Sequence, residues 1–369
     1  MTDPATASLD ALSVRPNPTD VDWAWQHHLG RRPGAEETAA ALEAAGGDAA
    51  ALHEAAFSHP EAVARATLPP MQPAWKFHLW RPGAARLLVL GNCQAPNLAR
   101  AVGWLSQREV SIAGLDITAF RRNREEFLRA AEGADVILAP ATSAAEFAEI
   151  SVEALRGAGR AEVVPYVPVH FAGLFPDITY LGARGERVLS PIGDYNSRIV
   201  VRSFLRGLDP AACLAAFNVE TYAEQGHFAA FAAAEREWER RESRLGADGL
   251  SLRAWFFAEI RERPLLYSTN HPTGDFFAEF ARQFGRRIGL PCATGSSHGC
   301  PNTLAYGATW PIPAELAAHH GLRYSTPLVW SNNAYLLGAE EFVWRSYRIY
   351  ARHDRAVLEE AARSRGIVF

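Results

Sequence analysis

Hydrophobic and polar positions along this chain follow two rhythms, and the switch between them recurs. Short apolar runs closed by turn residues lie at Leu87–Leu90, Val110–Ile117, Val136–Ala139 and Val163–Val167. Runs this short, with turn signals at their ends, read as buried strands. Between them, Asn97–Gln107, Arg121–Glu132 and Ala144–Arg156 carry apolar residues at helical spacing. The alternation predicts an α/β fold with a parallel sheet flanked by helices, whose ligands bind where the strands end. Further on, the pattern predicts an amphipathic helix over Glu220–Arg244 and another over Leu252–Arg263, so the C-terminal half should be rich in helix.

Ahead of the sheet, residues 1–20 read as a loose N-terminus and 21–66 as a small helical module. The module's helices are expected at Val21–Leu29, Ala35–Ala45 and Ala49–Phe57, punctuated by Arg32-Pro33-Gly34 and Gly46-Gly47. Residues 67–84 carry the prolines of a linker, and 85–369 form the main α/β domain with a helical insertion around 191–263. No run is apolar for long enough to span a membrane, and the first residues lack a secretory pattern.

Composition narrows the function classes. A hydrophobic share of 48% with Trp 10, Tyr 10 and Phe 19 supplies a large core and excludes a disordered chain. A net charge of -4 speaks against nucleic-acid binding. Four cysteines (Cys93, Cys213, Cys292 and Cys300) do not make a disulfide framework, which fits a reducing, cytoplasmic setting. Lys76 is the sole lysine, so anions would be held by arginine forks and backbone amides. A metal site is not expected: Cys292, His298 and Cys300 do not match a common zinc spacing.

The candidate chemistry sits at strand ends. Gly91-Asn92-Cys93-Gln94 follows the first apolar run and precedes a helix. A thiol there would meet the positive end of the helix dipole, which favours the nucleophilic thiolate. Gly91, Asn92 and Gln94 are candidates for holding an oxyanion or positioning substrate. Asn270-His271-Pro272-Thr273 follows the run Leu265–Thr269 in the same strand, polar turn, helix order. His271 is the candidate base and Asn270 a second positioning group. If both strands ran parallel in one sheet, Cys93 and His271 would emerge on the same edge. His170, at a third strand end, is a possible substrate contact or a core histidine. Arg198 and Arg202, on a predicted helix stripe with Arg206, are candidates for a phosphate-bearing cofactor or an ordinary solvated face.

With Gly91-Asn92-Cys93-Gln94 after a strand, Val164-Pro165 leading to Phe175-Pro176-Asp177, and Asn270-His271-Pro272-Thr273, the sequence resembles the WcbI-type polysaccharide biosynthesis family over about residues 85–290. The resemblance implies a coenzyme A-binding acetyltransferase acting on sugars of capsular polysaccharide, with Cys93 and His271 matched to the chemistry. Leu29-Gly30-Arg31-Arg32-Pro33 and Ser58-His59-Pro60-Glu61 resemble a helical module that accompanies bacterial exopolysaccharide proteins. The expected reaction is acyl transfer from acetyl-CoA to a sugar or polysaccharide precursor. It proceeds either through an acyl-Cys93 intermediate or directly, with His271 deprotonating the hydroxyl; Asp177, Asp194 and Asp275 are open candidates for a third relay member. Two other readings stand beside it. One is a flavodoxin-like ester hydrolase, although cysteine replaces its serine and no aspartate stands three residues before His271. The other is a non-catalytic module that binds an anionic glycan.

Overall fold

In the computed structural model the described residues are 33–46, 75–142, 145–183, 186–294, 300–332 and 335–369, with Pro18, Val21 and Trp25. The chain divides into two compact units, 1–72 and 73–369. In the first, helix α1 (Ala35–Ala45) is described; Glu37 folds back to accept from the Gly34 amide at 2.8 Å, and Gly46 closes the helix at φ 58°. The helices expected at Val21–Leu29 and Ala49–Phe57 lie outside the described residues, apart from Val21 and Trp25, as do residues 1–17.

The second unit is built on a five-stranded sheet in the order β1-β3-β2-β4-β5: Lys76–Leu79, Val110–Asp116, Ala85–Gly91, Val136–Pro140 and Glu162–Tyr166. Four strands run parallel, as the alternation predicts, and β1 adds an antiparallel edge from residues expected to be linker. Strand β2 reads as an unbroken apolar run because both its faces are covered. Leu87 and Val89 enter the core shared with α2 (Ala95–Leu105), while Leu88 and Leu90 enter the core beneath α3 (Phe120–Gly133). Helix α2 lies so close to β3 that a Cβ on Gly114 would fall 2.6 Å from the Ala95 carbonyl. The segment between β4 and β5 is a 3₁₀ stretch, Ala145–Ile150, followed by α4 (Val152–Gly157), because Ser151 caps a new helix there.

Beyond β5 the chain is mostly helical. Strands β6 (Ile178–Thr179) and β7 (Asn196–Ser197) pair ahead of α5 (Arg198–Leu205), α6 (Pro210–Ala215) and α7 (Val219–Glu224). The helix expected over Glu220–Arg244 is broken: Gly226 takes φ 73°, a left-handed value that ends α7, and α8 (Ala230–Glu242) starts afresh. Helix α9 (Arg253–Glu259) leads to the run that would share an edge with Cys93 if it joined the parallel sheet. It does not join. Strand β8 (Leu266–Ser268) folds back on β9 (His271–Pro272) as an antiparallel pair, and α10 (Gly274–Ile288) follows to pack against α2. The chain ends with α11 (Ala314–His320), the pair β10 (Val329–Asn332) and β11 (Tyr335–Gly338), α12 (Ala339–Tyr350) and α13 (Arg355–Arg363).

Candidate active site

The turn after β2 is shaped by contacts that leave little freedom. The Tyr166 hydroxyl, reaching across from β5, donates to the Leu90 carbonyl at 2.9 Å. A Cβ on Gly91 would lie 2.2 Å from that oxygen, so only glycine fits beneath it. Asn92 then accepts the Gln94 amide on its Oδ1 at 3.1 Å and the Ala95 amide on its carbonyl at 2.9 Å. These two amides belong to the helix start that was expected to stabilise a Cys93 thiolate. With them committed, burial dominates and pushes the Cys93 thiol up to about 12, and the neighbouring Asp116 carboxylate adds to the effect. Cys93 is therefore a protonated thiol at neutral pH, contrary to the expectation from the helix dipole. It is a free cysteine, neither fully buried nor open.

Gln94 brings the second arm to this turn. Its Nε2 donates to the Val169 carbonyl at 2.7 Å and the Asn270 carbonyl at 2.9 Å, while its Oε1 accepts from the Val169 amide at 3.2 Å. The side chain is 3% exposed and has no donor to spare, so it is a strut between three segments, not an oxyanion ligand. Asn97 does similar work one turn on. Its Oδ1 accepts from the Thr303 amide at 2.7 Å and hydroxyl at 2.9 Å, tying α2 to the segment after residue 300. Gln94 thus ties the turn that carries Cys93 to Asn270, the neighbour of His271, by a hydrogen bond and not through membership of one sheet.

His271 is half-buried against this framework. A Cβ on Gly307 would sit 2.8 Å from Cε1 and 2.9 Å from Nδ1, so the chain passes directly over that edge of the ring. Nδ1 is buried without a hydrogen-bond partner. Burial lowers the pKa of His271, with the Ala308 backbone working the other way, so the imidazole is neutral near pH 7. The Tyr195 ring packs edge-on to it, with centroids 6.0 Å apart, and the Tyr195 hydroxyl donates to Asn270 Oδ1 at 2.7 Å. Tyr195 is thereby held between the His271 ring and the Asn270 side chain. Asn270 therefore offers its Nδ2 as its remaining donor.

The other sequence candidates go elsewhere. His170 is exposed; Arg241 donates to its carbonyl at 2.6 Å, and its neighbour Phe171 pairs with Thr269. Arg198 donates to the carbonyls of Arg365 at 3.0 Å and Gly366 at 3.1 Å. Arg202 donates to the Val368 carbonyl at 3.0 Å and pairs with Glu224. Both line a cavity of about 200 Å³ with Gln225 and the segment Gly366–Val368, and neither Cys93 nor His271 lines it. Their guanidinium groups hold the C-terminal segment against α5. Asp177 caps the start of α5, Asp194 pairs with Arg187, and Asp275 pairs with Arg263. His298 lies outside the described residues, and among those described no three His, Cys, Asp or Glu side chains gather as metal ligands. A larger open groove of about 800 Å³ lies beside Asp209, Glu340, Glu341 and Trp344, and none of the Cys93 cluster lines it.

Asp116 and Tyr195 were missed from sequence. Asp116 had a signal: it is the charged residue closing the apolar run Val110–Leu115 beside Gly91 in the sheet, and strand ends are where such groups act. Tyr195 had none: it stands between Asp194 and strand β7, and only tertiary packing carries it to His271.

A sequence profile of the family described as polysaccharide biosynthesis enzyme WcbI matches residues 86–292. Among solved structures, one is similar at 15% identity and a TM-score of 0.57, covering 76% of this chain and 96% of the other. It is described as WcbI, a novel polysaccharide biosynthesis enzyme, in its native form without a disulfide bond between coenzyme A and a cysteine. No curated protein matches.

Proposed function

This chain belongs to the WcbI family of polysaccharide biosynthesis enzymes, and from that premise we propose that it transfers an acetyl group from coenzyme A to a sugar hydroxyl at the Cys93–His271 site. The observation that supports this reading is the joining of two turns: Gln94, beside Cys93, bonds the Asn270 backbone, and the Tyr195 hydroxyl holds the Asn270 side chain next to the His271 ring. Acetyl-CoA would supply the activated acyl group and a thiol leaving group. Two findings support such a substrate: Cys93, Asn92, Asn270 and His271 are all partly accessible, and the structurally similar WcbI is described with coenzyme A.

Of the two routes, direct transfer is favoured. A thiol held near 12 is a poor nucleophile at neutral pH, whereas a neutral imidazole is ready to act as base. In this route His271 takes the proton of the sugar hydroxyl as its oxygen bonds to the thioester carbon. Asn270 Nδ2 and Asn92 Nδ2 are the donors for the developing oxyanion. His271 then returns the proton to the departing sulfur as the carbon–sulfur bond breaks. Because Gly307 covers the Cε1–Nδ1 edge, Nε2 is the working nitrogen. Cys93 shapes the pocket wall. A sugar acceptor fits the family's part in polysaccharide synthesis. No helix among the described residues is long and apolar enough to cross a membrane, and we assign the reaction to the cytoplasm, where acyl-CoA is made.

Initial rates with acetyl-CoA and a sugar acceptor varied together test the proposal. Intersecting double-reciprocal lines, with Cys93→Ala keeping activity within about tenfold, support direct transfer. Parallel lines with a loss of roughly 10³-fold in Cys93→Ala would replace it with an acyl-cysteine route. Acetate release from an acetylated sugar without coenzyme A would favour hydrolysis, and glycan affinity without turnover would favour a binding module.

A further inference from the structure

Tyr195 is buried, at 7% exposure, in a place where sequence gave no reason to look. Its hydroxyl donates to Asn270 Oδ1 at 2.7 Å, and its ring meets the His271 ring edge-on with centroids 6.0 Å apart. Tyr195 is itself braced from behind. Tyr180 packs on it at 5.2 Å, the Arg187 guanidinium covers Tyr180 at 3.9 Å, and Arg187 Nη1 is 2.6 Å from Asp194 Oδ2. A row of packed groups therefore runs from an ion pair at the surface to the imidazole. On the other side, the backbone carbonyl of Asn270 is fixed by Gln94. The Asn270 side chain is thus held by Tyr195 and its main chain by Gln94, so its amide nitrogen has a fixed direction.

We propose that Tyr195 is a positioning residue of the acyl-transfer site: it orients the Asn270 amide through a hydrogen bond and sets the plane of the His271 imidazole through its ring. The kinetic side of this assignment rests on the proposed acyl transfer; the structural side does not. The division of labour has a physical basis, because a base and an oxyanion donor misplaced by an ångström lose much of their effect while substrate affinity survives.

Two single variants and their combination test the hydrogen bond, and Tyr195→Leu tests the ring. Tyr195→Phe keeps the ring against His271 and removes the hydroxyl; Asn270→Ala removes the group the hydroxyl holds. Tyr195→Phe should lower kcat about tenfold and leave KM for acetyl-CoA within about twofold. Tyr195→Phe/Asn270→Ala should be no slower than the slower single variant, because both changes remove one linked function. Independently of turnover, the His271 imidazole resonance, identified with His271→Gln, should shift in Tyr195→Leu, where the ring is lost. Its titration midpoint should move up toward the ordinary histidine value as water reaches the loosened ring. Losses that multiply in the double variant, or a His271 resonance unchanged in Tyr195→Leu, overturn the assignment. Absence of acyl transfer in the wild type would overturn the reaction instead, and the resonance would still decide the role of Tyr195.

Discussion

Two buried polar clusters can be compared in this molecule, one at the end of β2 and one beneath α5. Around Cys93, the fully buried group is Gln94, neutral and saturated with hydrogen bonds, while the titratable groups Cys93 and His271 stand at the partly accessible rim. Beneath α5 the arrangement is inverted. Asp177 and His227 are themselves buried, at 8% and 1% exposure. Asp177 Oδ1 accepts from the Ser197 hydroxyl and the Ile199 amide, both at 3.0 Å, but Oδ2 makes no hydrogen bond of ordinary geometry, and neither does any nitrogen of His227. Both line a cavity of about 10 Å³, the scale of a single water position. Buried ionisable groups with strongly shifted titration are a usual signature of active sites. Here the stronger signature lies where no substrate could enter, and access tells the clusters apart.

Variants can break that distinction. The largest effect is expected at His271: His271→Gln should cut kcat by about 10²–10⁴-fold with the fold intact, as loss of a general base does. Asp177→Asn should leave turnover within a few-fold; if it matches His271→Gln in a rate assay, the two clusters are one machine and the comparison fails. Next comes Gln94→Leu, which strands the Val169 amide and two carbonyls inside the protein. A loss of about 3 kcal/mol of unfolding free energy in denaturant titration is expected, and a loss below about 1 kcal/mol would mean the strut is dispensable.

The cluster beneath α5 should reveal itself in stability against pH. Burial raises the Asp177 carboxyl from 3.8 to about 6. Below 3.8 both folded and unfolded chains are protonated there, so the group costs nothing; as pH rises toward 6 the unfolded chain ionises first and stability falls. His227 acts in the opposite sense. Burial lowers it from 6.5 to about 4, so its contribution is complete above 6.5 and is lost as pH falls toward 4. Relative to Asp177→Asn, the wild type should lose roughly 2–3 kcal/mol between those limits, measured as melting curves at stepped pH; parallel curves would refute the assignment. The smallest change is expected for His227→Phe above neutral pH. Replacing two unpartnered nitrogens with apolar atoms should alter stability by less than about 1 kcal/mol.

The legible part of this protein was what local pattern determines. The four parallel strands announced themselves as apolar runs because both sheet faces are covered, and Cys93 was found because strand ends precede helix starts. Pattern failed where packing or a single backbone angle decided the outcome. Nothing short of the structure distinguishes Leu266–Ser268 as a hairpin arm from a strand of the main sheet, since three residues carry no register information. The break in Glu220–Arg244 rests on Gly226, whose left-handed φ a charge pattern cannot reveal. Arg198 and Arg202 looked available because a helix stripe does not say what faces it; the answer was carbonyls about 165 residues downstream. The Cys93 thiol defied its helix because burial outweighs the dipole and the Asp116 carboxylate adds to it.

The Gln94 strut also orders events in time. Its partners lie 75 and 176 residues along the chain, so the turn that carries Cys93 cannot be locked until residues 169 and 270 have been made and brought back. A chain emerging from the ribosome therefore presents Cys93 first as an ordinary hydrated thiol, with the reactivity of any cysteine in water. Protection from oxidation arrives with the second arm, at the same moment as the imidazole and the Tyr195–Asn270 pair. Completing the site and shielding its sulfur are a single late step of folding.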